Sequence, residues 1–193
     1  MSNLQVIKNK IKSYNKKIFV SGDKSLSIRW VLFSSLANGE SKAFNLLYSE
    51  DVLAALNAIK KLGAKVKISK KICVINGVGL NGYKFKKNLV LNAKNSGTLG
   101  RLISGILIDT PFPIKIIGDK SLSKRDFLRI TKPLKKFGAK FQTNKGKLPI
   151  TVLGTKNPKP IKEHTALEYC TNEYHRKNHR LPTNKYRYTS KAL

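Results

Sequence analysis

Two short stretches of this 193-residue chain each occur twice, and this internal similarity limits the folds open to it more than any other feature. GDKSLSIR at 22–29 returns as GDKSLSKR at 118–125, and KKLGAKV at 60–66 returns as KKFGAKF at 135–141. Both octapeptides suit a polar turn that leads from a strand into a helix, and both heptapeptides suit a helix that ends at glycine before another strand. We therefore expect a duplicated strand–helix unit, although the spacing within the two copies is unequal.

The hydrophobic pattern between the repeats predicts alternating strands and helices, and hence an α/β fold. A lysine-rich turn at 69–71 joins two alternating apolar segments and predicts a hairpin. Ser49 is the expected N-cap of a helix that carries Glu50 and Asp51 in its first turn and ends at Gly63. The predicted strands are 18–20, 42–46, 64–68, 72–75, 88–93 and 113–118, and the other predicted helices lie at 26–37, at 101–108 and after 125.

The chain carries 39 basic against 10 acidic residues, a formal net charge of +29, and most of the basic residues are lysines spread along the whole sequence. Nucleic-acid-binding proteins usually concentrate such charge on one face or interleave it with aromatic residues for stacking, and neither pattern occurs here. We therefore interpret most lysines as solvated surface residues, with nucleic-acid binding as the alternative. A positive cleft would attract small anions, so phosphorylated or carboxylated molecules are the expected partners.

No apolar run reaches the roughly 20 residues that a membrane-spanning helix needs. Residues 1–17 contain lysines without the apolar stretch of a secretory signal, so we expect a cytoplasmic protein. Cys73 and Cys170 lie far apart in the sequence and form no CxxC pair. A disulfide framework and a four-thiolate zinc site are therefore excluded, and we expect neither a metal nor a cofactor.

Gly22, Asp23, Lys24 and Ser25 lead into a predicted helix that carries Arg29, and this is the strongest local signal for an anion site. The backbone amides at a helix start are unpaired and favour negative charge. Lys24 adds a cation, Ser25 a hydroxyl donor, and Arg29 lies one turn further along the helix. The alternative is structural, with Ser25 as an ordinary N-cap and Lys24 as a surface lysine.

A second segment, Asn95 to Thr98 followed by Arg101, repeats this design between a strand and a helix. Gly97 would let the backbone approach a ligand, and Asn95, Ser96 and Thr98 offer donors. A plain strand-to-helix turn with a Ser or Thr cap remains the alternative. Arg125, at the end of the second octapeptide, is a weaker candidate for pairing with a carboxylate or phosphate.

The composition changes at residue 162. Residues 162–193 hold all three His and four of the seven Tyr but no Gly, Val, Ile or Phe, so we expect a loosely ordered tail with little to bury. Within it, the spacing of Cys170, His175 and His179 would allow a zinc site, but no fourth ligand has a clear register. We therefore do not predict zinc there.

Four segments, taken together, resemble the first part of the 5-enolpyruvylshikimate-3-phosphate (EPSP) synthase family. They lie at 22–66, 91–107, 117–141 and 148–161, and their order and approximate spacing agree with that family. The resemblance implies an incomplete enolpyruvyl transferase fold of repeated α/β units, with two units and the start of a third in residues 1–161, followed by a tail at 162–193 without resemblance. It also implies a carboxyvinyl transferase that moves the enolpyruvyl group of phosphoenolpyruvate to the 5-hydroxyl of shikimate 3-phosphate and releases phosphate, without a metal.

The resemblance also assigns roles to individual residues. Shikimate 3-phosphate would be held by Lys24, Ser25 and Arg29, with Lys24 reaching phosphoenolpyruvate as well and being the only candidate for catalysis. Phosphoenolpyruvate would be bound by Asn95, Gly97 and Arg125, and additional positions near the site are Asp51, Thr98 and Arg101. Gly97 is the family position at which an added methyl group crowds the inhibitor glyphosate.

The chain departs from the family at two points. Asp126 stands where a proline usually follows the arginine, and its charge would weaken the hold of Arg125 on an anion. The resemblance also stops near Ile161, before the segments in which the family carries its acid and base residues, so we expect the chain alone to be inactive.

We hypothesise that 162–193 arises from a frameshift or a misjoined gene, and that a C-terminal half in another chain is a further partner. The enzymatic alternative is a UDP-N-acetylglucosamine enolpyruvyl transferase relative.

Overall fold

A computed structural model of the chain describes residues 15, 18–69 and 72–160. Within this part the helices and strands alternate largely as the hydrophobic pattern predicts, and short 3-10 turns occur at Leu107–Asp109 and Leu122–Lys124. The elements are α1 (Lys24–Leu36), β1 (Asn38–Phe44), α2 (Glu50–Lys61), β2 (Lys65–Ser69), β3 (Ile72–Val78), β4 (Val90–Asn92), α3 (Gly97–Ile106), β5 (Ile114–Ile117), α4 (Leu128–Phe137), β6 (Lys140–Asn144) and β7 (Lys147–Leu153).

The strands form two sheets. In the first, the order is β1-β3-β2 and both pairings are antiparallel, which confirms the hairpin predicted across 69–71. In the second, the order is β4-β5-β7-β6, with β4 and β5 parallel and the other pairs antiparallel. The chain is therefore of mixed α/β class, as predicted, and each sheet ends in a hairpin preceded by a helix.

The two halves repeat one topology at a constant interval along the chain. β2 begins at Lys65 and β6 at Lys140, and the same interval separates the start of β3 at Ile72 from that of β7 at Lys147. The heptapeptides obey this interval as well, and both end their helix in the same way. The octapeptides stand further apart, at 22 and 118, one before α1 and the other before α4. The duplication is real, but the two octapeptides are not equivalent positions within it.

Gly63 and Gly138 end the second helix of each half with the same hydrogen-bonded cap. Both have left-handed φ angles, +105° and +116°, which favour glycine. The amide of Ala64 donates to the carbonyl of Ile59 at 3.0 Å, and that of Ala139 donates to Leu134 at 3.2 Å. These closures are Schellman caps, and they explain why the heptapeptide is repeated.

A single buried apolar cluster extends through both halves, from Ile28 and Val31 in α1 to Ile150 and Val152 in β7. α1 contacts α2, β3 and α3, so the two units share one interior. α1 and α3 are equivalent helices by the constant interval, and their first residues line one cavity, so their N-termini lie at the same end of the molecule. No helix in 18–69 or 72–160 is long and apolar enough to cross a membrane.

The structure corrects three sequence-based expectations. Residues 18–20 are exposed and form no strand, although the equivalent β4 pairs with β5. α3 begins at Gly97 rather than at Arg101, because the Ser96 hydroxyl accepts the amide of Leu99 at 3.1 Å and starts the helix there. Ser49 does precede α2, but its buried hydroxyl makes no capping bond and has no hydrogen-bond partner among the described residues.

Candidate functional site

An open cavity of about 210 Å³ lies at the N-termini of α1 and α3. Helix starts present unpaired amides and the positive end of the helix dipole, so two of them at one cavity favour an anion. The side chains around it are polar or charged, with three cations and one carboxylate. The lining residues are Lys24, Ser25, Asp51, Asn95, Ser96, Gly97, Thr98, Arg101 and Arg125.

The α1 side of the cavity is organised by Asp23 and Asp51. The Asp23 carboxylate accepts the amide of Leu26 at 2.7 Å and is the N-cap, so Ser25 does not have that role. The Lys24 ammonium lies 3.0 Å from the carboxylate of Asp51, which is buried in the first turn of α2. Lys24 itself stays half exposed, and this ion pair holds its charge at the cavity edge.

The α3 side brings two arginines over one glycine. A Cβ placed on Gly97 would lie 2.7 Å from Nη1 of Arg101 and 3.3 Å from Nη1 of Arg125. Because both distances are measured from the same point, the two nitrogens can be no further apart than the sum of the two. Absence of a side chain at Gly97 leaves the room in which both guanidinium groups approach the helix start.

Neutral groups hold the two arginines. Nη2 of Arg125 donates to Oδ1 of Asn95 at 3.0 Å, and Nη2 of Arg101 donates to the backbone carbonyl of Asp126 at 3.2 Å. The Arg101 guanidinium also lies over the ring of Phe127, 5.2 Å from its centroid. Within the part of the chain that the structure describes, neither guanidinium pairs with a carboxylate. Neither charge is therefore neutralised by a direct ion pair, and both groups line the cavity.

At the upper limit of about 6 Å that the two distances from the Cβ position of Gly97 allow, two positive charges repel each other by roughly 1–3 kcal/mol at effective dielectric constants between those of water and a protein surface. An anion bound between them removes this repulsion and gains charge-assisted hydrogen bonds from the remaining N–H donors. The arrangement therefore suits a phosphate or a carboxylate in the space above Gly97, with Lys24 facing it from α1.

The structure brings eight of the nine site residues suggested by the sequence to this cavity. Arg29 is the exception, because its Nη1 donates to the carbonyl of Ser25 at 3.1 Å, one turn back along its own helix, and it does not line the cavity. Its contact with shikimate 3-phosphate stays a prediction, and the guanidinium has further N–H groups besides the one that donates to Ser25. Sequence reasoning had also given Ser96 only as a donor, whereas its hydroxyl starts α3.

Asp119 is a site residue that the sequence analysis missed. Its carboxylate accepts Nδ2 of Asn95 at 2.6 Å and the amide of Leu122, also at 2.6 Å. These bonds lower the pKa of Asp119, led by that of the Leu122 amide and then by Asn95, with the charge of Arg125 adding to them. The signal was present, since Asp119 is the aspartate of the second GDKS tetrad.

The carboxylate of Asp126 bonds to the backbone two residues further along the chain. Oδ1 accepts the amide of Leu128 at 2.7 Å at the start of α4, and the backbone carbonyl holds Arg101. Whether its charge weakens anion binding at Arg125 stays a prediction. The zinc spacing of Cys170, His175 and His179 and the whole tail lie outside the described residues, and in 18–69 and 72–160 no three ligand-type side chains cluster around a metal position.

Comparison with known proteins yields one family. The family model of EPSP synthase (3-phosphoshikimate 1-carboxyvinyltransferase) matches residues 8–166. A 3-phosphoshikimate 1-carboxyvinyltransferase of Streptococcus suis is 40% identical over 158 residues, which cover 81% of this chain and 37% of that protein. The 3-phosphoshikimate 1-carboxyvinyltransferase of Vesicomyosocius okutanii is 46% identical over 143 residues, which cover 74% of this chain and 32% of that protein.

A solved structure of the same family also matches this chain. An EPSP synthase from Acinetobacter baumannii superposes with a TM-score of 0.71 at 39% identity, covering 77% of this chain and 34% of that one. The chain thus spans about a third of the length of the relatives that it matches.

Proposed function

The chain belongs to the EPSP synthase family, and we propose that it forms the N-terminal part of an enzyme that transfers the enolpyruvyl group of phosphoenolpyruvate to the 5-hydroxyl of shikimate 3-phosphate. Phosphate is the second product, and the reaction belongs to chorismate and aromatic amino acid biosynthesis. The single observation that carries the proposal is the convergence of Lys24, Arg101 and Arg125 on a cavity at two helix starts. Both proposed substrates are multiply charged anions, which need such groups to replace their water.

Each substrate would occupy one side of the cavity. Shikimate 3-phosphate fits the α1 side, with Lys24 and Ser25, and phosphoenolpyruvate fits the α3 side, with Asn95, Gly97 and Arg125. Lys24 lies between the two groups of residues and would contact both substrates. Its ion pair with Asp51 supports a positioning function, because a buried carboxylate keeps the ammonium in one place before any ligand arrives.

Catalysis needs more than this cavity supplies. The proposed addition and elimination steps require proton donors and acceptors within hydrogen-bond reach of the reacting carbon, and the described cavity offers one carboxylate, already paired with Lys24. About two thirds of the relatives' length has no counterpart in the matched part of this chain. We propose that polypeptide equivalent to that remainder completes the site.

The exposed face of α1 supports the proposal that another polypeptide completes the site. Leu26 and Phe33 lie two helical turns apart on one face and are 68% and 63% exposed. Helices of soluble proteins usually keep such a stripe covered, so a partner of complementary apolar surface fits here. We also propose a cytoplasmic location, on the expectation drawn from the sequence.

Isothermal titration calorimetry with shikimate 3-phosphate tests the substrate proposal. We expect saturable binding by the full chain, none of shikimate without its phosphate, and at least tenfold weaker binding by Lys24→Met. The double variant Lys24→Met, Asp51→Asn separates two causes of weaker binding. One is the lost contact between Lys24 and the ligand, and the other is the buried Asp51 carboxylate left without its partner. Binding of a UDP-sugar but not of shikimate 3-phosphate would favour the nucleotide-sugar transferases, and salt-dependent binding of random DNA alone would favour the nucleic-acid alternative.

Complementation tests the partner proposal. The chain would be co-expressed with the part of the Acinetobacter baumannii enzyme that it does not match, and phosphate release from both substrates would be measured. We expect activity only in the mixture, and loss of it when Leu26 and Phe33 are both replaced by Ser. Activity of the chain alone would overturn the proposal that the site is incomplete.

A further inference from the structure

A continuous chain of hydrogen bonds leads from Asp119 to the anion cavity. The Asp119 carboxylate accepts Nδ2 of Asn95 at 2.6 Å, and Oδ1 of the same amide accepts Nη2 of Arg125 at 3.0 Å. Arg125 lies over Gly97, at the start of α3. Asp119 itself does not line the cavity.

We propose that Asp119 is a positioning residue for anion binding, because it sets the orientation of the Asn95 amide, which in turn holds the Arg125 guanidinium over the start of α3. An ionised carboxylate can only accept hydrogen bonds, so the NH₂ end of Asn95 must face Asp119. The carbonyl end is then left for Arg125, which can only donate. If the amide were turned over, its NH₂ group would face the guanidinium and the bond would be lost.

Asp119 is well fixed for this task. Its second carboxylate oxygen accepts the amide of Leu122 at 2.6 Å, and its own amide donates to the carbonyl of Lys94 at 2.9 Å. The latter bond joins the ends of the parallel strands β4 and β5, from which the segments that carry Asn95 and Arg125 continue. The amides of Leu122 and Asn95 lower the pKa of Asp119, so the carboxylate is ionised at neutral pH.

Charge alone predicts the opposite effect, which makes the inference testable. Removing a carboxylate near an anion site reduces repulsion and should tighten binding. Asp126 provides the matched control, since it is also an exposed aspartate beside Arg125, but its carboxylate accepts the amide of Leu128 rather than the side chain of Asn95. Asp126→Asn keeps an oxygen for the Leu128 amide and does not alter the backbone carbonyl that accepts from Arg101, so it should leave anion binding unchanged or slightly tighter.

The probe is sulfate, which does not titrate near neutral pH, and the readout is the backbone amide resonance of Gly97. We expect Asp119→Ala to weaken sulfate binding about five- to twentyfold, less than the full loss of a charge-assisted hydrogen bond, because Arg125 keeps its charge and is only less well oriented. Asp119→Asn keeps a carbonyl that can accept from Asn95 and should recover part of the affinity. In an Asn95→Ala background, Asp119→Ala should not weaken sulfate binding further, because only the charge effect is left. Sulfate binding by Asp119→Ala as tight as in the original protein, or tighter, would overturn the inference.

The inference rests on the proposed function only for the identity of the natural anion, and a second readout separates the two. The side-chain NH₂ resonances of Asn95 should shift with pH as Asp119 titrates, below the usual aspartate range, and should not do so in Asp119→Asn. The other charged group nearby is Arg125, while the Lys94 ammonium pairs with Glu50 at 3.3 Å. Absence of sulfate binding with a titrating Asn95 amide would refute the anion site, and with it the proposed function, while leaving Asp119 as the residue that orients Asn95. Asn95 resonances that do not shift with pH would refute the positioning role.

Discussion

The two octapeptides share seven of eight residues and take different structures. Both begin alike, since the aspartate at the second position accepts the amide three residues on, at 2.7 Å in 22–29 and 2.6 Å in 118–125. The first copy then continues as α1, whereas the second makes one 3-10 turn and becomes extended at Arg125. A capping sequence therefore determines the first turn but not the conformation of the residues after it.

Burial explains the divergence. In the first copy Leu26 is exposed and Ile28 is fully buried, so the helix is held against the core. In the second copy the corresponding Leu122 is fully buried and Lys124 is exposed. A lysine cannot replace a buried isoleucine without desolvating its charge, so the second copy turns its leucine inwards instead and cannot continue as the same helix.

The consequence reaches the final arginine of each copy. Arg29 continues along α1 and donates to the carbonyl of Ser25, while Arg125 projects from extended backbone and reaches Asn95 on the next strand–helix connection. Two identical residues in near-identical sequence thus differ in access to the cavity, because one lies on a helix face and the other comes directly after a turn.

The largest expected effect comes from making the first copy identical to the second. Ile28→Lys places an unpaired ammonium at a fully buried site and should lower the free energy of unfolding by about 4 kcal/mol or more. Chemical denaturation followed by circular dichroism measures it. The matched variant is Lys124→Ile, which is exposed and should change stability by less than about 0.5 kcal/mol. Similar costs for the two variants would refute burial as the cause of the divergence.

The arginines are compared by removing each charge in turn. Arg125→Gln should weaken binding of phosphoenolpyruvate about ten- to a hundredfold, the effect of losing charge-assisted hydrogen bonds of about 1.5–3 kcal/mol. Arg29→Gln should change this affinity less than threefold, because its guanidinium does not line the cavity. Calorimetric titration with phosphoenolpyruvate measures the affinity of both variants. Equal losses of affinity would mean that Arg29 moves into the phosphoenolpyruvate side of the site.

Gly22 and Gly97 stand at equivalent positions of the two halves, before α1 and at the start of α3, yet they meet different neighbours. A Cβ on Gly22 would lie against the backbone carbonyl of Asn45 and 3.1 Å from the amide of Leu47, and backbone cannot yield easily. We expect Gly22→Ala to lower unfolding free energy by about 1–3 kcal/mol, as overpacking does. In Gly97→Ala the neighbours are flexible arginine ends, so thermal unfolding should hardly change while sulfate affinity falls. Equal destabilisation by both variants would contradict this account.

The sequence predicted the elements of this fold better than their connections. Helix caps and alternating apolar residues are local, so α2, the β2–β3 hairpin and both glycine ends were correctly predicted. The octapeptide was misread as the unit of duplication because its similarity is local too. The true interval, from β2 to β6 and from β3 to β7, is that of the heptapeptides, and the octapeptides do not share it.

Most residues that line the cavity were named from the sequence, but the hydrogen bonds among them were not. Lys24, Gly97 and Arg125 were identified from helix starts and from the family resemblance, and they line one cavity. The bond between Asp119 and Asn95 depends on the ends of β4 and β5 lying side by side, and no short-range pattern reports that pairing. Arg29 does not line the cavity, and its guanidinium instead donates to the Ser25 carbonyl of its own helix.

The heptapeptides give the smallest expected difference, since their two copies have the same conformation. Gly63→Ala and Gly138→Ala each force a Cβ into left-handed backbone, which costs roughly 1–2 kcal/mol, and in both copies that Cβ would meet a side chain at 3.2 Å, from Lys84 or Thr155. We therefore expect equal losses of unfolding free energy, within about 0.5 kcal/mol. Asparagine, which tolerates left-handed backbone, should recover part of the loss at both positions. A loss at only one glycine would mean that identical local caps, like the near-identical octapeptides, are overridden by the residues that pack around them.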